Sequence, residues 1–214
     1  RTNLTERLIG INSHLNIYSF NEKINLEDVS TLRINLDSKD YDSFLPSIET
    51  QGLVISNEIS KGVIIRGYED LNSNHYLYNK IITKKLSSIN FNQIVIGDAL
   101  AKELNLQIGD NLKLAIPKTD KSLLGDIPRF KTLTVIGIFD FGMYEYDVGL
   151  VFISLELAQR LLLFEDNYFN RIEFYLDNPL LVDNFKGQID SKIKNKILSL
   201  YSISWLERNS SLMN

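Results

Sequence analysis

The sequence contains no cysteine and only two histidines among its 214 residues. Without cysteine, a disulfide scaffold and a cysteine-based zinc site are both excluded. No apolar run approaches the ~18 residues that a membrane span requires, and no signal peptide is recognisable at the first residue, Arg1. We therefore expect a fragment cut from a longer protein, whose missing flanks would carry the membrane spans.

A strongly basic face is also missing. The chain has 23 basic and 27 acidic residues and a formal net charge of -4, which argues against a nucleic-acid partner. A hydrophobic fraction of 44% and a charged fraction of 23% are ordinary for a globular protein. A chain of this length can bury a sizeable core.

Catalytic signatures are scarce as well. No nucleophile elbow, Walker loop or HExxH motif occurs. His14 and His75 lack partners at metal-ligand spacing and are interpreted as structural. The kinase-like triplet at 140–142 stands without its companion loops, and the acids Asp140, Glu145 and Asp147 fit no calcium loop, so they predict a solvated turn. We predict no enzyme activity, no metal and no cofactor.

What is present are two β-α-β patterns, one at each end of the chain. Residues 14–19 alternate like a strand, residues 44–52 have apolar residues at helical spacing, and 53–55 again indicate a strand. Residues 171–176 alternate strictly, an apolar stripe from Leu181 to Ile189 predicts a helix, and 197–203 alternate again. The two units together predict an α+β sandwich built from both ends.

The middle of the chain is of another kind. Strands are predicted at 93–96, 112–116, 133–139 and 148–153, with short helices after Asp98 and Ser154, both expected to cap. Residues 70–90 hint at a short helix. The pattern indicates a mostly-β subdomain at 91–164 inserted into a domain formed by 1–90 plus 165–214.

A 14-residue loop, 117–130, is predicted between two strands of the insert. Hairpin loops are usually ~2–5 residues long, so this one is long for its place. It holds two of the four prolines, near its ends, and the apolar residues Leu123, Leu124 and Ile127. Such a loop is typical of an element that enters a partner's groove, although folding back onto its own domain is an equal alternative.

An ordered series of segments resembles the periplasmic domain of the LolC/LolE family of lipoprotein-releasing ABC transporter permeases, within the MacB/FtsX-like group. The segments are residues 94–104, 108–114, 125–128 and 133–139, supported by 9–14 and 205–212. The resemblance implies a Porter-like β-α-β part and an inserted Sabre-like part. It also implies an inner-membrane multi-pass protein of a Gram-negative bacterium, of which this chain is a periplasmic domain.

The same resemblance implies the partners. They are the periplasmic carrier LolA, the ATPase subunit LolD, a partner permease subunit and the lipoprotein cargo. In the family, a hook enters the apolar cavity of the carrier and a nearby polar pad holds it. Carried over residue by residue, the hook is Leu123, Leu124, Gly125, Ile127 and Pro128, and the pad is Lys113, Phe130 and Lys131.

The chain departs from the family pattern in its hook and pad. Leu123 and Leu124 stand where the family often has proline and methionine, Asp126 replaces a basic residue, and Phe130 replaces a polar one. A LolC-like chain, a LolE-like chain and a single subunit serving both roles all remain open. The alternative function is a structural or regulatory ectodomain of another FtsX/MacB-like transporter, which binds an adaptor or a cell-wall enzyme activator and needs no hook.

Overall fold

A computed structural model describes residues 9–70, 75–83, 86, 88–122 and 125–210; within 118–128 it describes the backbone pairing alone. The strands are β1 Leu15–Ser19, β2 Ile24–Asn25, β3 Ser43–Ser56, β4 Ile59–Tyr68, β5 Gln93–Gly97, β6 Asn111–Ser122, β7 Gly125–Phe139, β8 Leu150–Ser154, β9 Tyr168–Phe169, β10 Arg171–Tyr175 and β11 Leu200–Ser204. The helices are α1 Leu26–Ile34, α2 Asp98–Glu103, α3 Tyr144–Gly149, α4 Leu155–Leu161, α5 Val182–Lys196 and α6 Trp205–Asn209. The predicted α+β class is confirmed.

The chain divides into two compact units. We name residues 1–47 with 167–214 the terminal unit, and residues 48–166 the barrel unit. The sequence prediction assigned 48–90 to the terminal segments. In the structure β4 pairs with the second half of β3 and with β8, so these residues lie in the barrel unit.

The terminal unit is an antiparallel sheet with helix α5 packed on it. Its strands follow the order β11, β1, β10 and residues 43–47 of β3. The apolar stripe predicted for α5 is confirmed, because Val182, Phe185, Ile189 and Ile193 are buried. The Phe185 ring meets that of Phe174 on β10 with centroids 5.1 Å apart. This face of the sheet is the core of the unit.

The barrel unit is a sheet that closes on itself. Its pairings run from β3 through β4, β8, β5, β7 and β6, and β6 pairs back with β3. The β4–β8 and β5–β7 pairs are parallel and the others antiparallel. Alternate residues of each strand fill the interior, where Phe139 and Phe152 pack edge to face at 5.4 Å. Closure leaves no exposed sheet edge in this part of the unit.

The helix predicted at 44–52 is wrong, because β3 runs unbroken from Ser43 to Ser56. Phe44 and Ile48 are four residues apart, a spacing that fits one face of a helix and one face of a strand equally. Pro46 is tolerated because residues 43–47 pair with β10 alone, so the missing N–H faces no second strand. The helix of this β-α-β unit is α1 instead, where Asn25 Oδ1 accepts from Asp28 N at 2.7 Å.

Two smaller predictions are also corrected. Asp98 does not cap α2; Gly97 is the N-cap, and Asp98 instead pairs with Lys102 at 2.6 Å. Gly97 is required here because a Cβ would lie 2.0 Å from the carbonyl oxygen of Asp147. Of the residues described within 70–90, Tyr78–Lys80 form a 3-10 turn and Ile81 makes a bridge to Phe139, so the short helix suggested there is not found among them. Ser154, in contrast, caps α4 as predicted, its side chain accepting from Leu157 N at 3.1 Å.

Candidate functional site

The two histidines are both built into the interior. His14 is 6% exposed, and its Nδ1 accepts a hydrogen bond from Leu176 N at 2.7 Å. Burial, with a smaller contribution from the Arg208 charge, lowers the pKa of His14 to about 4. His75 is 3% exposed, and its Nδ1 accepts from Leu77 N at 3.2 Å. His14 therefore joins the start of β1 to the chain just after β10, and His75 holds a local turn, which agrees with the structural interpretation.

The acidic turn at 140–147 is solvated at Asp140 and Glu145, as predicted, but not at Asp147. Asp147 is 5% exposed, and its carboxylate accepts from Phe141 N at 2.7 Å and from Met143 N at 3.1 Å. Burial and the neighbouring Asp140 raise the pKa of Asp147. The side chain ties the turn after β7 to helix α3. Within the described part of the chain, no three His, Cys, Asp or Glu side chains are grouped to hold a metal ion.

The segment 117–130 is the feature that stands out, and it is not a loop. Strands β6 and β7 continue through it as an antiparallel ribbon, with Thr119 opposite Pro128 and Ser122 opposite Gly125. The predicted irregular loop is therefore wrong. Two strands can continue here because Pro117 is accommodated by a break in register between Ile116 and Thr119. Residues 123 and 124, the predicted hook tip, lie outside the described residues.

The ribbon extends beyond the pairing that closes the barrel. On β6, β3 pairs with residues 113–115, and on β7, β5 pairs with residues 134–139. Within the described residues, 116–122 and 125–129 pair with each other alone. At 3.3 Å per residue, seven residues span roughly 20 Å. Gly125, Ile127 and Pro128, three predicted hook residues, lie on the return strand of this ribbon.

The foot of the ribbon is braced by Arg129. Its Nη1 donates to the carbonyl oxygen of Leu161 at 2.9 Å, at the C-terminal end of helix α4. A guanidinium there satisfies a carbonyl that has no partner within the helix and complements the helix dipole. The brace ties the ribbon to a helix that is itself buried against the barrel through Leu157 and Ala158.

The structure brings together two of the three predicted pad residues. Lys113 Nζ lies 5.7 Å from the ring centroid of Phe130, which is 59% exposed. Lys131 is adjacent to Phe130 on β7, so its side chain lies on the opposite face of the strand. There its Nζ lies 4.2 Å from the ring of Phe91. The three predicted residues therefore do not form one continuous surface.

Sequence reasoning missed Phe91 and the brace. Phe91 receives Lys131 on one side and the Arg160 guanidinium at 5.6 Å. The sequence signal that could have predicted this contact is an aromatic residue, Phe91, shortly before β5, together with a basic residue, Arg160, in the last turn of α4. The pairing of Arg129 with Leu161 spans 32 residues and leaves no pattern in the sequence.

Across the described ranges, no helix is long and apolar enough to cross a membrane.

The sequence has relatives among proteins named lipoprotein-releasing system transmembrane protein LolC. The protein of that name from Buchnera aphidicola subsp. Acyrthosiphon pisum is 26% identical over 171 residues, which cover 74% of this chain and 41% of that protein. The one from Xylella fastidiosa strain Temecula1 is 33% identical over 69 residues, covering 32% and 17%. The chain thus spans less than half the length of these relatives. No protein-family model matches it.

The fold has solved counterparts. The periplasmic region of MacB from Actinobacillus actinomycetemcomitans matches with a TM-score of 0.54 and 12% identity, covering 97% of this chain and 95% of that one. The extracellular domain of the ABC-type transporter YknZ matches with a TM-score of 0.52 and 11% identity, covering 90% and 100%. The chain is LolC-like in sequence and MacB-like in fold. These relatives confirm the predicted resemblance to LolC and to the MacB-like periplasmic domains.

Proposed function

We propose that this LolC-like domain is the periplasmic part of an inner-membrane lipoprotein-releasing permease, and that its β6–β7 ribbon docks the soluble carrier LolA. The relatives are named as transmembrane proteins of a lipoprotein-releasing system, which supports the first half. The terminal unit would be the Porter-like part and the barrel unit the Sabre-like part. The LolD ATPase, a partner permease subunit and the lipoprotein cargo would belong to the full-length assembly.

The observation that carries the docking proposal is the self-paired ribbon. It leaves the closed barrel, is braced at its foot by Arg129, and stays paired as far as Ser122 and Gly125. A strand pair that is already formed loses less conformational entropy on binding than an irregular loop would, which favours association. The MacB-like fold is compatible with other ectodomains too, so the ribbon rather than the fold distinguishes the carrier-docking function.

The energetics suit a carrier that must leave after loading. Inserting two leucines into an apolar cavity would contribute ~3–6 kcal/mol. Association costs offset ~4 kcal/mol or more of that gain. The contact between Lys113 and the exposed Phe130 offers a second, lateral patch on β6 and β7. The expected complex is weak and rapidly reversible.

The test is binding of the isolated domain to its cognate carrier by biolayer interferometry. We expect the native domain to bind and Leu124→Glu to lose binding. The matched control is Leu180→Glu, since Leu180 is 75% exposed and belongs to the terminal unit. Circular dichroism and Trp205 fluorescence would establish that all three are folded. Equal binding by native domain and Leu124→Glu would reject the ribbon as the docking element.

A further inference from the structure

An apolar band crosses the outside of the barrel next to the ribbon. In register, Phe130 on β7 lies opposite Ala115 on β6, Ala115 opposite Leu53 on β3, and Leu53 opposite Gly62 on β4. Paired residues share a face of the sheet, so these positions form one row. Phe130 is 59% and Leu53 39% exposed, although the interior of the barrel has ample apolar residues of its own. Ala115 between them is only 7% exposed, so the exposed apolar surface comes from Phe130 and Leu53, and such surface is typical of a binding site.

Part of this band deepens into a groove of about 700 Å³. Its walls are Leu53, Ile64, Pro117 and Tyr146, and its lining includes Gly62. A Cβ at Gly62 would meet nothing within 4 Å, so the absent side chain leaves open space there. The volume falls within the ~300–1,000 Å³ of small-molecule sites, which are predominantly apolar. The groove is therefore suited to an aliphatic chain.

The charged residues around the groove differ between its two ends, which would orient a charged ligand. Arg66 lines the groove, but its guanidinium is paired with Glu49 at 2.8 Å and donates to Tyr76 Oη at 2.7 Å. On the β6 side, Lys113 lies opposite Ile55 and is the diagonal neighbour of Leu53. Lys113 is exposed and makes no ion pair with another residue of the described part. Glu145 lines the groove near β8, on the other side.

We propose that this groove binds a single-chain anionic amphiphile, with the alkyl chain along Leu53, Ile64 and Pro117 and the anionic head at Lys113. The cation beside β6 and the carboxylate of Glu145 near β8 set that orientation. A cationic head would be repelled from Lys113, and a neutral head would gain nothing there. The site is distinct from the ribbon tip, and it does not depend on carrier docking.

The experiment measures binding of tetradecanoate, below its micelle concentration, by isothermal titration calorimetry. The native domain should bind it at one saturable site. Gly62→Leu fills the open space, so the alkyl chain loses apolar contact with the groove. We expect the affinity to fall about tenfold or more, which corresponds to a loss of about 1.4 kcal/mol of binding free energy. The control is Gly187→Leu in α5, which adds the same side chain at an exposed position where a Cβ also meets nothing within 4 Å. This variant should bind like the native domain.

A second variant tests the head group. Lys113→Glu should weaken tetradecanoate binding severalfold but leave binding of an alkyl glucoside of equal chain length unchanged. The proposal is overturned if tetradecanoate shows no saturable binding, or if Gly62→Leu binds it as well as the native domain does. It is also overturned if sedimentation shows a dimer that Gly62→Leu dissociates while no amphiphile binds, since the groove would then hold a second copy of the chain.

Discussion

The terminal unit and the barrel unit bury charge to different depths. In the terminal unit the charged groups of β10 face inward. Arg171 and Glu173 form an ion pair at 3.1 Å, with side chains 2% and 1% exposed. His14, the residue before β1, is buried as well. In the barrel unit the distinctive features face outward: a ribbon, the exposed Phe130 and an apolar groove. The barrel unit buries charged groups as well, among them Arg66 and Asp147, so the two units differ in the depth of their ion pairs and in the ribbon and groove, which we propose as binding surfaces.

The largest effect should come from breaking the buried pair of the terminal unit. Glu173→Ala leaves the Arg171 charge in the interior without this carboxylate, and removing one partner of a buried pair costs about 3–5 kcal/mol. Urea denaturation followed by Trp205 fluorescence would measure the free energy of unfolding, since Trp205 is the sole tryptophan and lies in this unit.

The matched variant in the barrel unit is Lys102→Ala, which breaks the surface pair with Asp98. Lys102 has a side chain 76% exposed, so no measurable change in the urea midpoint is expected. A loss in Lys102→Ala as large as that in Glu173→Ala would contradict the distinction between an exposed and a buried ion pair.

Acid should be the next largest perturbation. The pKa of His14 is about 4 in the folded protein and 6.5 in the unfolded chain, so the unfolded chain binds the proton more readily between these values. The contribution of His14 to stability is complete above pH 6.5 and is lost as the pH falls towards 4. The loss is on the order of 3 kcal/mol, from about 1.36 kcal/mol per pKa unit.

Unfolding monitored by Trp205 fluorescence at pH 7.5, 6, 5 and 4.5 would measure this loss, and His14→Asn should flatten the profile because Asn does not titrate. The contribution of Asp147 in the barrel unit to stability changes with pH in the opposite direction. Its pKa is raised, so its contribution declines as the pH rises through that raised value. An unchanged pH profile in His14→Asn would show that another group is responsible.

Removing the brace of the ribbon should have a smaller effect, confined to the barrel unit. Arg129→Ala deletes the hydrogen bond to Leu161 O. A buried hydrogen bond from a charged donor contributes about 1.5–3 kcal/mol to the free energy of unfolding. We expect a smaller loss here because the Arg129 side chain is only half-buried. Hydrogen exchange should accelerate at the ribbon amides and remain unchanged in β1 and β10. Uniform acceleration in both units would mean that Arg129 supports global stability instead.

The smallest loss of stability is expected from removing a helix cap, and each unit offers one cap for comparison. Ser154→Ala removes the cap of α4, and Ser204→Ala removes the cap of α6, which also forms a reciprocal capping box with Glu207. Each should cost about 1 kcal/mol. Thermal unfolding of both variants would check this, and a loss at Ser204 no greater than at an exposed serine such as Ser210 would contradict the capping box.

Much of the fold could be predicted because local patterns and tertiary packing agree. Residues 171–176 alternate and α5 carries a clean apolar stripe, so both elements were found. The segment 44–52 failed because a four-residue spacing satisfies both a helix and a strand, and strand pairing with β10 and β4 decided between them. Helix α1 has only Val29 and Leu32 buried, too few to mark an apolar face.

The candidate site was predictable in position but not in form. Two prolines and three apolar residues at 117–130 pointed to a special connection, whereas the continued pairing of β6 with β7 depends on register across the barrel. The opposite orientations of Phe130 and Lys131 follow from strand alternation once the segment is known to be a strand. The groove could not be predicted, because it joins Leu53, Ile64, Pro117 and Tyr146 from four separate segments.

The central claim is that the ribbon of the barrel unit meets the carrier. A photo-reactive benzoylphenylalanine placed at position 124, and separately at position 180 in the terminal unit, would test it by crosslinking to purified carrier. The account predicts a strong crosslink from 124 and none from 180. Crosslinking from 180 but not from 124 would contradict it and assign carrier binding to the terminal unit.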